Sequence, residues 1–263
     1  MIINPSKKSK VFCYTGTGNS FISSRMVAEA LDADLVFITE ELILSNPHIE
    51  AEVCVIVFPV YAYAMPKTVK RWIKNSSFNV EYMAALGTIG SKHGGALAEA
   101  IRLLKKKKCK THYTMGIKCV ENFVHMFKLP DIDKIQDLCE GQEGLTRRII
   151  DDLKKRRQNK RFLFRPESSF ISFIYRSVTR FFASRYKILD TCNGCRICCR
   201  VCPAKAIDIV DRVAKIKTKK CDGCQACMQL CPRKAIQFAR IHPESKYWYK
   251  HPDVKVSELL KRD

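Results

Sequence analysis

The sequence predicts an α/β domain with a doubly wound parallel sheet, followed by a small α+β domain that is rich in cysteine. Short apolar strands alternate with amphipathic helices over residues 1–155, which is typical of a parallel sheet covered by helices on both faces. Eight of the cysteines form two runs with the same spacing, which indicates an internal duplication. With 263 residues, 46% of them hydrophobic, the chain can bury a core without disulfides.

The predicted strands and helices of the first domain follow one another in order. Strands are predicted at 10–14, 34–39, 53–60, 82–87 and 111–118, and helices at 21–31, 66–75, 95–107 and 144–157. Pro66 suits the start of its helix, because the first helical position needs no backbone N–H donor. Sheets of this kind bind ligands beyond the carboxyl ends of the strands, where the strand order reverses.

The segment TGTGNS, residues 15–20, lies between the first predicted strand and the first helix. Backbone N–H groups at a helix start, the positive end of its dipole and three hydroxyls can together bind a phosphate. The segment is not a Walker A loop, since no Gly-Lys-Ser/Thr follows, and Phe21 stands where G-x-G-x-x-G requires its third glycine. We therefore expect a phosphate-binding loop of another type.

The cysteine runs have the spacing C-x2-C-x2-C-x3-C-P, which is typical of bacterial-type iron–sulfur proteins. The first run is Cys192, Cys195, Cys198 and Cys202 before Pro203, and the second is Cys221, Cys224, Cys227 and Cys231 before Pro232. A zinc site usually pairs two C-x2-C units across a longer gap, so zinc is disfavoured. The N-terminal residues lack the apolar segment of an export signal, which favours the cytoplasm, where clustered cysteines more often bind metal than pair as disulfides.

In two-cluster ferredoxins the last cysteine of each run ligates the other cluster. That rule predicts a first set of ligands, Cys192, Cys195, Cys198 and Cys231, and a second set, Cys221, Cys224, Cys227 and Cys202. Gly194 and Gly223 lie between ligands, where the backbone must approach the cluster closely. Cys199 falls outside the spacing, and we expect its small side chain to be buried. The remaining cysteines, Cys13, Cys54, Cys109, Cys119 and Cys139, are expected in the interior.

TGTGNS matches the flavodoxin phosphate-loop pattern, Ser/Thr-x-Thr-Gly-x-Ser/Thr, and PVYAYAMPKTV, residues 59–69, resembles the segment after the third flavodoxin strand. Together with the cysteine runs, these motifs make residues 10–240 resemble the flavodoxin–ferredoxin fusions known as EFR-family ferredoxins. The resemblance implies a flavodoxin-like domain at 1–155, a linker at 156–185, a 2[4Fe-4S] ferredoxin domain at 186–240 and a C-terminal tail at 241–263.

The resemblance also implies bound FMN. Its phosphate is expected on Thr15, Gly16, Thr17, Gly18, Asn19 and Ser20, and its ring between Tyr61, Ala62, Tyr63 and Ala64 on one side and Gly90, Ser91, Lys92, His93, Gly94 and Gly95 on the other. Tyr61 or Tyr63 would stack on the ring, and Lys92 or His93 would place positive charge near it. Flavodoxins often have glycine in the loop near the reactive flavin nitrogen, whereas Ala-Tyr-Ala stands here, which puts positive φ at that loop in doubt.

The net charge of +21 is uneven along the chain. Residues 1–150 carry 20 Lys and Arg against 15 Asp and Glu, whereas residues 151–263 carry 27 against 11. In the linker, Phe170, Ile174, Val178, Phe181 and Phe182 share one helical face, with Arg176, Arg180 and Arg185 elsewhere. Three interpretations stay open: a linker helix packed between domains, a docking face for an acidic redox partner, and attachment to an anionic membrane surface.

Other partners are disfavoured. No segment approaches the roughly 18 apolar residues that a membrane span needs. No nucleic-acid-binding motif accompanies the basic excess. The lysines at 105–108 end a predicted helix, where positive side chains interact favourably with the helix dipole. The expected function is electron transfer between two [4Fe-4S] clusters and FMN; the alternatives are a flavin-dependent reductase of a quinone or nitro compound and a cluster-based redox sensor.

Overall fold

The computed structural model describes residues 8–90, 94–125, 127–159, 179, 181–238 and 248–260. Five parallel strands form one sheet in the order β2-β1-β3-β4-β5. They are β1 (Ser9–Cys13), β2 (Asp34–Phe37), β3 (His48–Pro59), β4 (Ser77–Ile89) and β5 (Thr111–Lys118). This is the flavodoxin-like strand order, so the predicted fold class is confirmed.

Helices cover both faces of this sheet. They are α1 (Asn19–Ala30), α2 (Glu40–Leu44), α3 (Lys67–Asn75), α4 (Ala96–Lys106) and α5 (Ile132–Lys154). Successive residues of a strand point to opposite faces, so Phe12 packs with Trp72 of α3 on one side while Val11 packs with Ile149 of α5 on the other. Two apolar cores therefore hold the sheet, and the loops at its carboxyl edge are left to form a site.

The structure corrects three element boundaries. Helix α5 begins at Ile132 rather than 144, and it continues through Gly141 and Gly144, where a Cβ atom would meet nothing within 4 Å. Strands β3 and β4 begin five residues before the predicted bounds, and their first residues, His48 and Ser77, pair in register. Helix α2 was not predicted; the Thr39 side chain starts it by accepting a hydrogen bond from the Leu42 amide at 3.3 Å.

The cysteine-rich region is built from short elements, as predicted for an α+β domain. Strand β6 (Tyr186–Ile188) pairs antiparallel with β9 (Ile236–Phe238), and β7 (Ile207–Val210) forms a hairpin with β8 (Val213–Ile216). Two four-residue helices, α6 (Ile197–Arg200) and α7 (Ala226–Gln229), follow equivalent positions of the two cysteine runs.

The C-terminal residues 248–260 pack against both domains. They include a short helix, α8 (Val256–Leu260). Val254 and Leu259 lie in one apolar cluster with Phe21 and Ile22 of α1 and with Ala226 of α7. The C-terminal segment thus ties the sheet domain to the cysteine-rich domain.

The structure describes only part of the predicted aromatic linker. Phe170, Ile174, Val178, Arg176 and Arg180 lie outside the described residues. Phe182 packs among His125, Tyr186 and Phe238, between the two domains. Phe181 is 53% exposed, with the Arg185 guanidinium 4.5 Å from its ring centre. None of the described helices combines the length and the apolar character needed to span a membrane.

Candidate flavin and iron–sulfur sites

A cavity of about 260 Å³ lies at the carboxyl edge of the sheet, where four strand-end loops and the second cysteine run meet. It is lined by Thr15, Gly16, Thr17, Asn19 and Ser20 after β1, by Pro59 to Tyr63 after β3, by Thr88 and Gly90 of β4 and its loop, by Cys119 to Phe123 and Phe127 after β5, and by Gly223, Cys224 and Gln225. This is the position at which doubly wound sheets bind ligands.

The loop before α1 is arranged to receive an anion. Gly18 precedes the helix with a φ of 113°, no described side chain caps the helix, and its first turn contains no acidic residue. The hydroxyls are already engaged: Thr15 Oγ1 accepts from the Gly18 amide at 3.2 Å, and Ser20 Oγ shares a hydrogen bond with Thr88 Oγ1 at 2.7 Å. The N–H groups of a first helical turn have no partners within the helix, so they are the donors left for a phosphate.

The loop after β3 adopts a tight turn despite lacking glycine. The amides of Tyr61 and Ala64 each donate to the other residue's carbonyl, at 3.0 and 2.9 Å. Ala62 and Tyr63 between them have φ values of 43° and 66°, which is the type I′ pattern that usually selects Asn and Gly. The expected restriction on positive φ is therefore wrong for this loop, and the two hydrogen bonds hold the strained pair in place.

The predicted glycines of the next loop support this turn. Gly94 has a φ of 51°, and a Cβ atom there would collide with the Tyr63 side chain. The Gly95 amide donates to the Tyr63 carbonyl at 3.2 Å. Ala64 is buried and, like Gly94 and Gly95, does not line the cavity. Ser91, Lys92 and His93 lie outside the described residues.

The segment after β5 was not predicted as part of the site. Its Glu121 carboxylate accepts a hydrogen bond from the Phe123 amide at 3.0 Å, and a Cβ atom on Gly90 would collide with it. Burial raises the pKa of Glu121 above its ordinary value. Sequence reasoning had one available signal, because this segment follows a strand at the same sheet edge as the predicted loops.

The second set of cysteines comes together in the structure. Cys202, Cys221, Cys224 and Cys227 line one small cavity inside the cysteine-rich domain, although Cys202 belongs to the first run. Burial raises the pKa of Cys221 to about 11 and that of Cys227 well above its ordinary value. The crossed ligand rule predicts that these four cysteines hold one cluster.

The first set of cysteines lies closer to the surface. Cys198 is buried, Cys192 and Cys231 are half-buried, and Cys195 is exposed. Burial raises the pKa of Cys198 to about 12. Cys199, which was expected to be buried, is only half-buried, whereas the five scattered cysteines are all buried as expected. Among the described side chains, no three of His, Cys, Asp or Glu surround a point that would hold a single metal ion.

The second cysteine run packs directly against the sheet domain. A Cβ atom on Gly16 would lie 2.8 Å from the Cys224 carbonyl oxygen, so the phosphate-loop backbone and the cysteine loop are in close contact. Asp222, which is 4% exposed, accepts hydrogen bonds from the Tyr14 hydroxyl at 2.7 Å and from the amides of Lys67 and Thr68 at 3.1 and 3.2 Å. The cysteine-rich domain thereby supplies the N-terminal cap of α3.

The C-terminal segment holds the outer side of the phosphate loop. The His251 amide donates to the Thr17 carbonyl at 2.9 Å, and a Cβ atom on Gly18 would lie 2.9 Å from the His251 Cβ. The Tyr249 hydroxyl donates to Asn19 Oδ1 at 2.6 Å, and the Tyr249 amide donates to Gln229 Oε1 at 2.9 Å. One residue thus links the phosphate loop to helix α7.

Comparison with known proteins assigns the cysteine-rich region. Residues 185–232 match the family described as a 4Fe-4S dicluster domain. Comparison with the curated proteins gave no significant match. The chain accordingly joins a flavodoxin-like domain, defined by its strand order, to a ferredoxin-type iron–sulfur domain.

Several solved structures are similar to the sheet domain at low scores. A putative flavoprotein from Bacteroides uniformis is 17% identical, with a TM-score of 0.36 over 43% of this chain and 90% of that one. A flavodoxin from the domain Archaea is 13% identical, with a TM-score of 0.32 over 54% of this chain and 98% of that one. A WrbA-like flavodoxin from Agrobacterium tumefaciens is 12% identical, with a TM-score of 0.34 over 58% of this chain and 100% of that one.

Proposed function

We propose that the chain binds two [4Fe-4S] clusters and one FMN and transfers electrons between them within one polypeptide. The observation that supports this most directly is the shared wall of the cavity at the sheet edge. Gly223, Cys224 and Gln225 of the second cysteine run line the same cavity as the phosphate loop. A cluster held by the second set would then lie beside the flavin site, with no further domain between them.

The residues at the cavity suit FMN. The uncapped start of α1 would hold the phosphate, and the turn at Tyr61–Ala64 together with the segment from Cys119 to Phe123 would enclose the ring. Glu121 lines this cavity, and burial raises the pKa of its carboxyl above the ordinary value. Iron–sulfur clusters pass single electrons and a flavin exchanges one or two, which would let the chain join one-electron and two-electron reactions.

The clusters are assigned by the same reasoning. The second set, grouped around one small cavity, would hold the cluster next to the flavin. The first set, with Cys195 exposed, would hold a cluster near the surface. Electrons would enter or leave the protein at the first set and reach the cavity through the second.

A flavin-dependent reductase of a small quinone or nitro compound is a second candidate. Phe127, which is 51% exposed, lines the cavity, so an apolar surface lies at an opening where a planar substrate could stack. A saturable rate with one such compound and none with its isomers would favour the reductase over the carrier.

The test is the cofactor content of protein purified without oxygen. The proposal predicts about eight iron and eight sulfide per chain, with one FMN, and visible bands that bleach on reduction with dithionite. If the protein contains iron and sulfide but no flavin, even after FMN is added, the chain is a two-cluster carrier and the proposal of bound FMN is wrong. Stoichiometric zinc with little iron would show that the cysteines bind zinc and that the proposal of iron–sulfur clusters is wrong.

A further inference from the structure

The loop that carries the first three cysteines lies at the surface and is surrounded by arginines. Of the eight predicted cluster ligands, Cys195 is the one that is exposed. Arg196 follows it directly and is exposed as well. An electron carrier must bring its cofactor close to a partner, so an exposed ligand marks the place where a partner would approach.

Two further arginines contact the same loop from other parts of the chain. The backbone of Arg212, in the β7–β8 turn, lies 2.9 Å from where a Cβ atom on Gly194 would be. The Arg233 side chain donates from Nε to the Thr191 carbonyl at 3.3 Å. Both arginines are exposed. We call Arg196, Arg212 and Arg233 the arginine rim of the first set.

The β7–β8 turn keeps an arginine where the backbone favours glycine. Asp211 and Arg212 have φ values of 51° and 62°, a left-handed pair that is unfavourable for most side chains. Val210 and Val213, which flank the turn, are 38% and 40% exposed. The turn therefore presents Asp211 and Arg212, both exposed, between two partly exposed apolar side chains.

The charge around this loop is strongly positive. Residues 185–236 contain twelve Lys and Arg against four Asp and Glu. Of the four acidic residues, Asp208 pairs with Lys217 and Asp222 accepts hydrogen bonds from the sheet domain. Asp190 and Asp211 are exposed, and within the described part of the chain no carboxylate forms an ion pair with the arginine rim. The field at the rim would attract a negatively charged surface.

We propose that the arginine rim is the docking surface for an acidic one-electron carrier protein. This inference rests on the proposed function, because it assumes a cluster at the first set. One electron passes from the reduced carrier to the oxidised cluster, so the carrier is oxidised, the cluster is reduced, and no bond forms or breaks. The reverse transfer uses the same surface.

A redox protein fits the rim better than a membrane or a nucleic acid does. Neither lipid headgroups nor phosphates take up electrons, and neither would gain from lying against a cluster ligand. A protein carrier gains both charge complementarity and a short path to the cluster.

The experiment compares two double variants of the anaerobic, cluster-loaded full chain. R196E/R212E reverses the charge of two rim arginines, whose side chains donate no hydrogen bond among the described residues. K74E/K106E makes the same change in charge in a basic groove between α3 and α4, on the sheet domain. A reduced plant-type [2Fe–2S] ferredoxin of net negative charge serves as the electron donor, and bleaching of the cluster absorption is followed by stopped flow at several salt concentrations.

The proposal predicts that R196E/R212E lowers the second-order rate about tenfold or more at low salt and flattens its salt dependence, while K74E/K106E stays within about twofold of the parent. Reduction by dithionite and iron content should be equal in all three proteins. Equal slowing in both variants would overturn the proposal in favour of general charge attraction. If R196E/R212E is reduced at the same rate as the parent, the proposal is also overturned, whether or not the variant has lost binding to anionic vesicles or DNA. Because the signal is cluster bleaching, a failure of the flavin assignment would leave this test intact.

Discussion

The two cysteine loops have nearly the same backbone and opposite surroundings. Gly194 and Gly223 both have a φ of 71°, and the residues after the second cysteine of each run, Arg196 and Gln225, have φ values of 66° and 59°. The first loop is exposed and basic, whereas the second is packed against the phosphate loop. A duplicated motif thus keeps one geometry for its metal chemistry while its other side chains determine whether it faces a partner or a neighbouring domain.

The residue directly after the first cysteine of each run shows how this difference arises. In the first loop it is Asn193, which is exposed and accepts a hydrogen bond from the nearby Cys195 amide at 3.3 Å. In the second loop it is Asp222, which is buried and accepts three hydrogen bonds from the sheet domain. One carboxylate in place of one amide therefore fixes the second loop against the sheet domain, at the wall of the cavity.

The largest expected effect follows from removing that carboxylate. Asp222→Ala leaves the Tyr14 hydroxyl and two amides at the start of α3 buried without an acceptor, which should cost about 3 kcal/mol of the free energy of unfolding. Asn193→Ala, the matched change in the first loop, should cost about 0.5 kcal/mol or less. Urea unfolding measures both, and equal losses would contradict the asymmetry between the loops.

Acid should release the C-terminal segment next. Burial lowers the pKa of His251 to about 4, so the folded chain resists the protonation that the unfolded chain accepts near pH 6.5. The stability that neutral His251 provides is present above pH 6.5 and is lost as the pH falls towards 4. Limited proteolysis should cleave near residue 250 faster at pH 4.5 than at pH 7. His251→Gln should weaken that dependence, and His48→Gln, at an exposed position, should not.

A smaller effect is expected from Tyr249→Phe. This variant loses the hydrogen bond from the Tyr249 hydroxyl to Asn19 in the phosphate loop, worth about 1 kcal/mol, which is about fivefold in FMN affinity. Tyr113→Phe loses a similar bond to Asp152, away from the cavity, and should leave FMN affinity unchanged. Titration of FMN fluorescence measures both, and equal affinities for Tyr249→Phe and the parent would show that the C-terminal segment does not support the phosphate loop.

The smallest expected effect concerns Glu121. Because burial raises its pKa, the flavin-free chain should lose stability as the pH rises from 4.5 through the raised pKa, where the unfolded chain ionises more readily. Glu121→Gln should remove this part of the pH dependence, and Glu50→Gln, on an exposed position of β3, should leave it in place. Thermal unfolding between pH 4 and pH 7 would detect the difference, and parallel curves for Glu121→Gln and the parent would refute it.

What the sequence predicted well was encoded locally. The cysteine spacing and the TGTGNS loop each place several ligand-binding groups within a few residues, so the kind of ligand can be predicted before the fold is known. The parallel sheet with helices on both faces followed from the alternation of strands and helices. The start of α5 did not, because the helix runs through two glycines, Gly141 and Gly144, which have low helix propensity.

What the sequence left out depends on contacts between distant parts of the chain. Glu121 and Phe123 reach the cavity because β5 ends beside β4, and no motif marks them. Asp222 meets Tyr14 across 208 positions, and Tyr249 meets Asn19 across 230. Such pairs are decided by docking of the domains, which neither spacing nor periodicity encodes.

The central claim, that the second cysteine run passes electrons to a flavin in the adjacent cavity, is tested most directly in anaerobic, FMN-loaded protein. A light pulse excites an added photosensitiser, which takes electrons from a sacrificial donor and reduces the clusters. We predict that flavin absorption then falls with a first-order rate that does not change with protein concentration, because both cofactors belong to one chain. A rate that rises in proportion to protein concentration, or a flavin that stays oxidised beside reduced clusters, would contradict the account.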